Sequence, residues 1–193
     1  IEVASLGIQV HGGMGYMEET GAAQYLRDSR ISTIYEGTTG IQANDLVGRK
    51  MARDGGAVFR EVIAMMRAVE AKLAASDSDD IKAIHARLSV AIDALTRAGA
   101  WVVEEFPKDT RAALASAVPF LRLFGVVAAG WQMARAALVA QARLDAGDAD
   151  PFYQAKIRTA RFFADHLLTQ AEGLATTVAE GAASTMAMPV DQF

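Results

Sequence analysis

In RISTIYEGTTGIQ, residues 30–42, a single carboxylate, Glu36, stands between an apolar run and a glycine. A carboxylate so placed risks losing water, which is costly unless it is paired, protonated or used. As a general base, a desolvated carboxylate with a raised pKa could remove a weakly acidic proton. The structural alternative is a charge near the N-terminus of the following helix, stabilised by its dipole. Upstream, Gly12, Gly13 and Gly15 form GGMG, which permits positive φ and close backbone approach. Amides in such a loop can hold a phosphate. The pattern does not match GxGxxG, and taken alone it reads as a plain turn.

The elements that must position these residues are helical with one exception. Ile31, Thr33 and Tyr35 alternate with Ser32 and Ile34, which predicts an extended, half-buried segment over 30–37. Residues 1–11 read as the end of a helix, with Val3, Leu6 and Val10 at helical spacing. Residues 18–28 read as a short helix with Thr20 as N-cap. Thr38 or Thr39 opens a helix that runs to about Arg53. RDGG, 53–56, stops it and marks a boundary. Beyond lie helices over 57–75, 81–106, 110–145 (one helix, or two meeting near Pro119) and 152–182, before an irregular tail. The fold class is therefore all-α, an up-and-down bundle of about four helices over 57–193 following a separate N-terminal part over 1–53. Met65–Met66 and Phe162–Phe163 read as core pairs, and Trp101 and Trp131 as core or interface anchors.

Composition narrows the function further. The chain has 193 residues, a net charge of −4 and a 52% hydrophobic share. That is enough chain for a substantial core, and mild acidity gives no footprint for nucleic acid. Zero cysteines exclude disulfides and thiolate chemistry. His11, His85 and His166 have no metal-ligand spacing, so no metal site is expected. The uncharged run 123–134, between Arg122 and Arg135, falls short of the ~20 residues a membrane span needs, so no insertion is expected. The start shows no signal peptide and opens within an amphipathic pattern, as a piece of a longer chain would. Cytoplasm or an organelle matrix is the expected location.

Together, QVHGGMGYMEE and YLRDSRISTIYEGTTGIQ closely resemble the C-terminal signature of the acyl-CoA dehydrogenase family. The shared pattern is Gln-x-x-Gly-Gly-x-Gly-Tyr/Phe, then Arg-Asp-x-Arg/Lys-Ile, then Ile-Tyr-Glu-Gly-Thr, in register over roughly residues 1–50. The resemblance implies that Glu36 is the base for the α-proton of an acyl-CoA thioester while a β-hydride moves to FAD. It implies that Gly37 lies beside the thioester. Gln9, Gly12 and Gly13 match a segment that reaches the FAD of a neighbouring subunit, and Thr38 one that contacts FAD in its own. Arg27, Asp28 and Arg30 match structural, ion-paired positions.

Where the family often carries a glutamine two residues after the threonine, this chain has Gly40, so that contact does not carry over. Gln42 fits the pattern and reads as structural. Some members place the base on another helix, and the presence of Glu36 argues against that arrangement here. Residues 57–193 resemble the helical C-terminal extension of members acting on longer or unusual acyl-CoAs, such as methylthiopropionyl-CoA. The implied partners are an acyl-CoA, an electron-transfer flavoprotein and further copies of the chain, as a homodimer or homotetramer. The fragment alone is expected to be inactive and to lack FAD. Competing readings are a helical assembly module, a flavin oxidase, or a nucleic-acid-associated relative, which would want a basic extension.

Overall fold

The computed structural model describes residues 1–192, which contain helices and turns and no strand. The chain divides into two compact units, one over Ile1–Gln42 and one from Ala43 onward.

The first unit is built from short helices: α1 Glu2–Val10, α2 Gly13–Tyr16 and α3 Ala22–Arg30, with the start of α4 Thr39–Asp45. Gly15 lets α2 press onto α1, because a Cβ there would lie 2.3 Å from the Ile8 carbonyl oxygen. Thr20 is not an N-cap. Its hydroxyl donates to the carbonyls of Met14 (2.6 Å) and Met17 (3.0 Å), and Gly21 at φ 74° precedes α3. Only Gly15 and Ala22 are buried in this unit.

The expected extended segment over 30–37 is instead a tight 3₁₀ turn, Ile31–Thr33, continuing from α3. The period-2 reading lost to helical spacing: Ile31, Ile34 and Tyr35 also sit at i, i+3 and i+4. Local hydroxyls favour the turn. Ser29, Ser32 and Thr33 each donate to the carbonyl three residues back, Leu26, Ser29 and Arg30.

The second unit carries the core. α4 runs into a π-helical stretch, Leu46–Ala52, that buries Val47 and Met51. Asp54 then accepts from the amides of Gly56, Ala57 and Val58 at 2.9–3.1 Å, so RDGG starts α5 Ala57–Ala74 as much as it ends the preceding element. α6 Asp79–Glu105 contributes ten buried residues, among them Ile84, Leu88, Ile92 and Leu95. Asp109 caps α7 Thr110–Ala115 through the amides of Arg111 and Ala112. The break in the long apolar segment falls at Ser116, and Pro119 lies in the first turn of α8 Ala117–Asp145, where its missing N–H costs nothing.

α8 is long and apolar enough, by length and composition, to cross a membrane. Here its buried stripe, Phe120, Leu123, Val127, Ala134 and Ala137, packs in the bundle with α5, α6, α9 and α10. Asp150 caps α9 Pro151–His166. A 3₁₀ turn at Leu168–Gln170 separates α9 from α10 Ala171–Glu180, so 152–182 is two helices. The expected irregular tail opens with a further helical turn, α11 Ala182–Thr185.

Phe59, Phe120 and Phe124 meet in tilted and edge-to-face pairs, with centroids 6.1–6.3 Å apart. Of the two expected core pairs, only Met66 is fully buried and Phe163 partly so. Met65 and Phe162 are exposed, because adjacent helical residues point about 100° apart. Trp101 and Trp131 pack partly buried against the core.

Candidate functional site

Glu36 lies in a surface turn between the 3₁₀ stretch and α4. Its side chain is exposed, not half-buried at the end of a strand. Its backbone has φ 53°, and it is the one non-glycine residue with positive φ among the described residues. Such a conformation is costly for a residue with a Cβ and recurs at functional sites. Gly37 follows at φ 97°, where a glycine is favoured.

The turn is tied down from α4. The Gln42 side-chain Nε2 donates to the Glu36 carbonyl at 2.8 Å, and the Gln42 amide donates to the Thr38 carbonyl at 3.0 Å. Thr38 Oγ1 accepts from the Ile41 amide at 3.4 Å, a weak cap on α4. Around Glu36 the large side chains of Ile31, Ile34, Tyr35 and Ile41 are half or more exposed.

Gln9 lies in the last turn of α1 and is exposed. The Gly12 amide donates to the Gln9 carbonyl, and the Gly15 amide to the Gly12 carbonyl. Two amides of the glycine loop are thus committed internally. Gly12 takes φ 61°, and both Gly12 and Gly13 have open space where a Cβ would stand. A planar hydrogen-bonding group could approach the backbone there. Thr38 keeps an exposed position, and its hydroxyl hydrogen is free to donate outward while the oxygen caps α4. The backbone at Gly12 and Gly13 and the Thr38 hydroxyl thus remain accessible at the surface.

The basic residues upstream behave as surface groups. Arg27 pairs with Glu18 at 3.6 Å, and Arg30 donates to Thr33 Oγ1 at 3.2 Å. Asp28 is exposed. Among the described residues, no cluster of three or more His, Asp or Glu side chains is placed to hold a metal ion.

The residue that reading the sequence left as merely structural is Gln42. Its six-residue separation from Glu36 gave no periodic signal, and only the positive φ of Glu36 and Gly37 folds the two together.

Residues 1–51 match the family described as acyl-CoA dehydrogenase, C-terminal domain, and residues 60–189 match that described as acetyl-CoA dehydrogenase C-terminal like. The chain belongs to the acyl-CoA dehydrogenase family, as its C-terminal helical part. It is similar to a 3-methylmercaptopropionyl-CoA dehydrogenase of Ruegeria pomeroyi, 47% identical over 88% of this chain and 29% of that protein. It is also similar to a broad-specificity linear acyl-CoA dehydrogenase of Mycobacterium tuberculosis, 34% identical over 83% of this chain and 28% of the relative. A shorter match, 44% identical over 41 residues (21% of this chain and 11% of the relative), is to a subunit of a caffeyl-CoA reductase–Etf complex of Acetobacterium woodii. The chain spans less than a third of the length of each of these relatives.

Proposed function

We propose that this chain supplies the catalytic base and part of the flavin contact surface of an acyl-CoA dehydrogenase, with Glu36 removing the α-proton of the thioester. The observation that carries this reading is Glu36 itself. A carboxylate at φ 53°, with the exposed Ile34, Tyr35 and Ile41 near it in sequence, lies within the residues that match the family. An α-proton of a thioester is weakly acidic, and a carboxylate removes it efficiently only when its pKa rises in a dry site. An acyl chain lying on Ile34, Tyr35 and Ile41 would exclude that water.

Gly37 would lie beside the bound thioester, in the position the family resemblance implies. Gln9, Gly12 and Gly13 would hold FAD from one subunit and Thr38 from another. When bound, FAD supplies hydride acceptance, which completes an α,β-desaturation. Electrons would pass on to an electron-transfer flavoprotein, a partner class that the caffeyl-CoA reductase–Etf relative supports by its description. Subunits would assemble as a homodimer or homotetramer in the cytoplasm or an organelle matrix. In the whole protein, residues 1–53 end the catalytic helical domain and 57–193 form its extension. The similarity to a 3-methylmercaptopropionyl-CoA dehydrogenase supports a methylmercaptopropionyl-type acyl group as one substrate to include. Alone, the 193 residues would hold no stoichiometric FAD and turn over no acyl-CoA.

The test is anaerobic flavin absorbance of the whole protein, titrated with a panel of acyl-CoAs beside Glu36→Gln. Bleaching that vanishes in the variant supports the base assignment and names the substrate class. Bound FAD that no acyl-CoA bleaches would overturn the reading.

A further inference from the structure

We propose that Gln42 is the positioning residue of this site: its side-chain amide locks the left-handed turn that presents the Glu36 carboxylate. The proposal rests on the reading of Glu36 as base. Two consecutive left-handed residues, Glu36 and Gly37, form the turn, and the first carries a Cβ that disfavours this state. Something outside the pair must hold it.

Gln42 reaches back six residues to donate to the Glu36 carbonyl at 2.8 Å. Its own amide is fixed to the Thr38 carbonyl, so the donor stands on the first turn of α4 and not on a loose loop. The contact is close on the other side as well. A Cβ at Gly37 would come within 3.2 Å of Gln42 Nε2 and 3.3 Å of Ile41 Cγ2. Gln42, Gly37 and Glu36 therefore form one interlocked unit, in which the donor fixes the carbonyl and hence the direction of the Glu36 Cα–Cβ bond. Proton abstraction depends steeply on where the carboxylate stands, so the lock acts on kcat through Glu36 without touching the substrate.

Gln42→Met keeps length and helix preference and removes the donor, whereas Gln42→His places a ring N–H at similar reach. In the flavin-loaded whole protein, the expected result for Gln42→Met is a fall in kcat of roughly 10–100-fold, with KM and flavin content within about twofold of the parent. Gln42→His should recover most of the loss.

A second readout needs no flavin. In the whole protein isotope-labelled at glutamate, Glu36 should show the strong intraresidue Hα–HN NOE of positive φ. That signal should weaken in Gln42→Met and return in Gln42→His. An unchanged kcat in Gln42→Met overturns the proposal, as does an NOE that stays strong while kcat falls. Glu36→Gln separates the two readings. If Glu36→Gln still bleaches with acyl-CoA, the base assignment fails, whatever Gln42 does. If Glu36→Gln is dead and Gln42→Met is normal, the base assignment stands and the lock fails.

Discussion

At Gly99 and Gly130 the room for a methyl group is already taken. A Cβ at Gly99 would lie 2.3 Å from the Phe59 ring, and one at Gly130 would lie 2.5 Å from Leu168 Cδ2. Both glycines sit inside long helices, where glycine is otherwise a liability. Gly125 in α8 has nothing within 4 Å of the same point. Helix propensity alone would predict that alanine stabilises all three positions. Packing reverses the sign at two of them. Gly125→Ala should raise unfolding stability by about 0.5–1 kcal/mol. Gly99→Ala should lower it by about 1–3 kcal/mol, because the Phe59–Phe120–Phe124 cluster must shift. Urea melts of the three proteins decide this, and a stabilised Gly99→Ala would mean that Phe59 has a free alternative position. The same limit applied at the site. Glu36 and its register were legible as residues, since motif spacing survives in a linear string. Its left-handed backbone and its carbonyl bond to Gln42 were not, because both depend on a turn that no local periodicity announces.

Element boundaries followed the capping chemistry where it was local. Asp109 and Asp150 stand where a polar residue precedes an apolar helix, and each accepts amides of the first turn. Asp109→Ala should therefore cost about 1 kcal/mol, read as a shift of the urea midpoint at constant slope. Asp54 is the more informative cap. Hydrogen bonds from Val58, Gly56 and Ala57 outweigh slight desolvation and hold its carboxyl below the ordinary value. A depressed folded pKa means that this stabilisation is present above the unfolded pKa of ~3.9 and is lost as pH falls through the lower folded value. The melting-temperature gap between the parent and Asp54→Ala should hold from neutral pH to about 5 and narrow below about 4. A gap independent of pH would show that the cap does not depend on charge. Elements failed to be legible where two periods fit one string. Residues 31–35 satisfied both alternation and helical spacing, and hydroxyl-to-carbonyl bonds settled it for the 3₁₀ turn. The π-helical stretch Leu46–Ala52 likewise looked like ordinary helix, because its buried Val47 and Met51 keep a four-residue interval.

The all-α fold was readable at the scale of the chain because long amphipathic segments bury one face each, whatever their exact ends. The unequal burial of the two units was not. From Ala43 onward, α6 alone buries ten residues, and the core runs through α5, α8, α9 and α10. In Ile1–Gln42 only Gly15 and Ala22 are buried, while Val3, Val10, Tyr16 and Tyr25 are more than 70% exposed. A helix of nine residues such as α1 or α3 is marginal without tertiary burial. Native-state amide exchange on the 193-residue chain should therefore separate the two. Amides of α6 and α8 should exchange only through global opening, whereas those of α1 and α3 should exchange through local fraying at rates set by little more than their own helix bonds. Under the proposed function, the exposed apolar groups of the first unit are the ground on which the flavin and acyl-CoA site is completed. The same amides of α1 and α3 should then slow by orders of magnitude in the whole protein, and those of α6 should change little. Equal protection of α1 and α6 in the 193-residue chain would sink this argument, since it would require stabilisation of the first unit that its own packing does not contain.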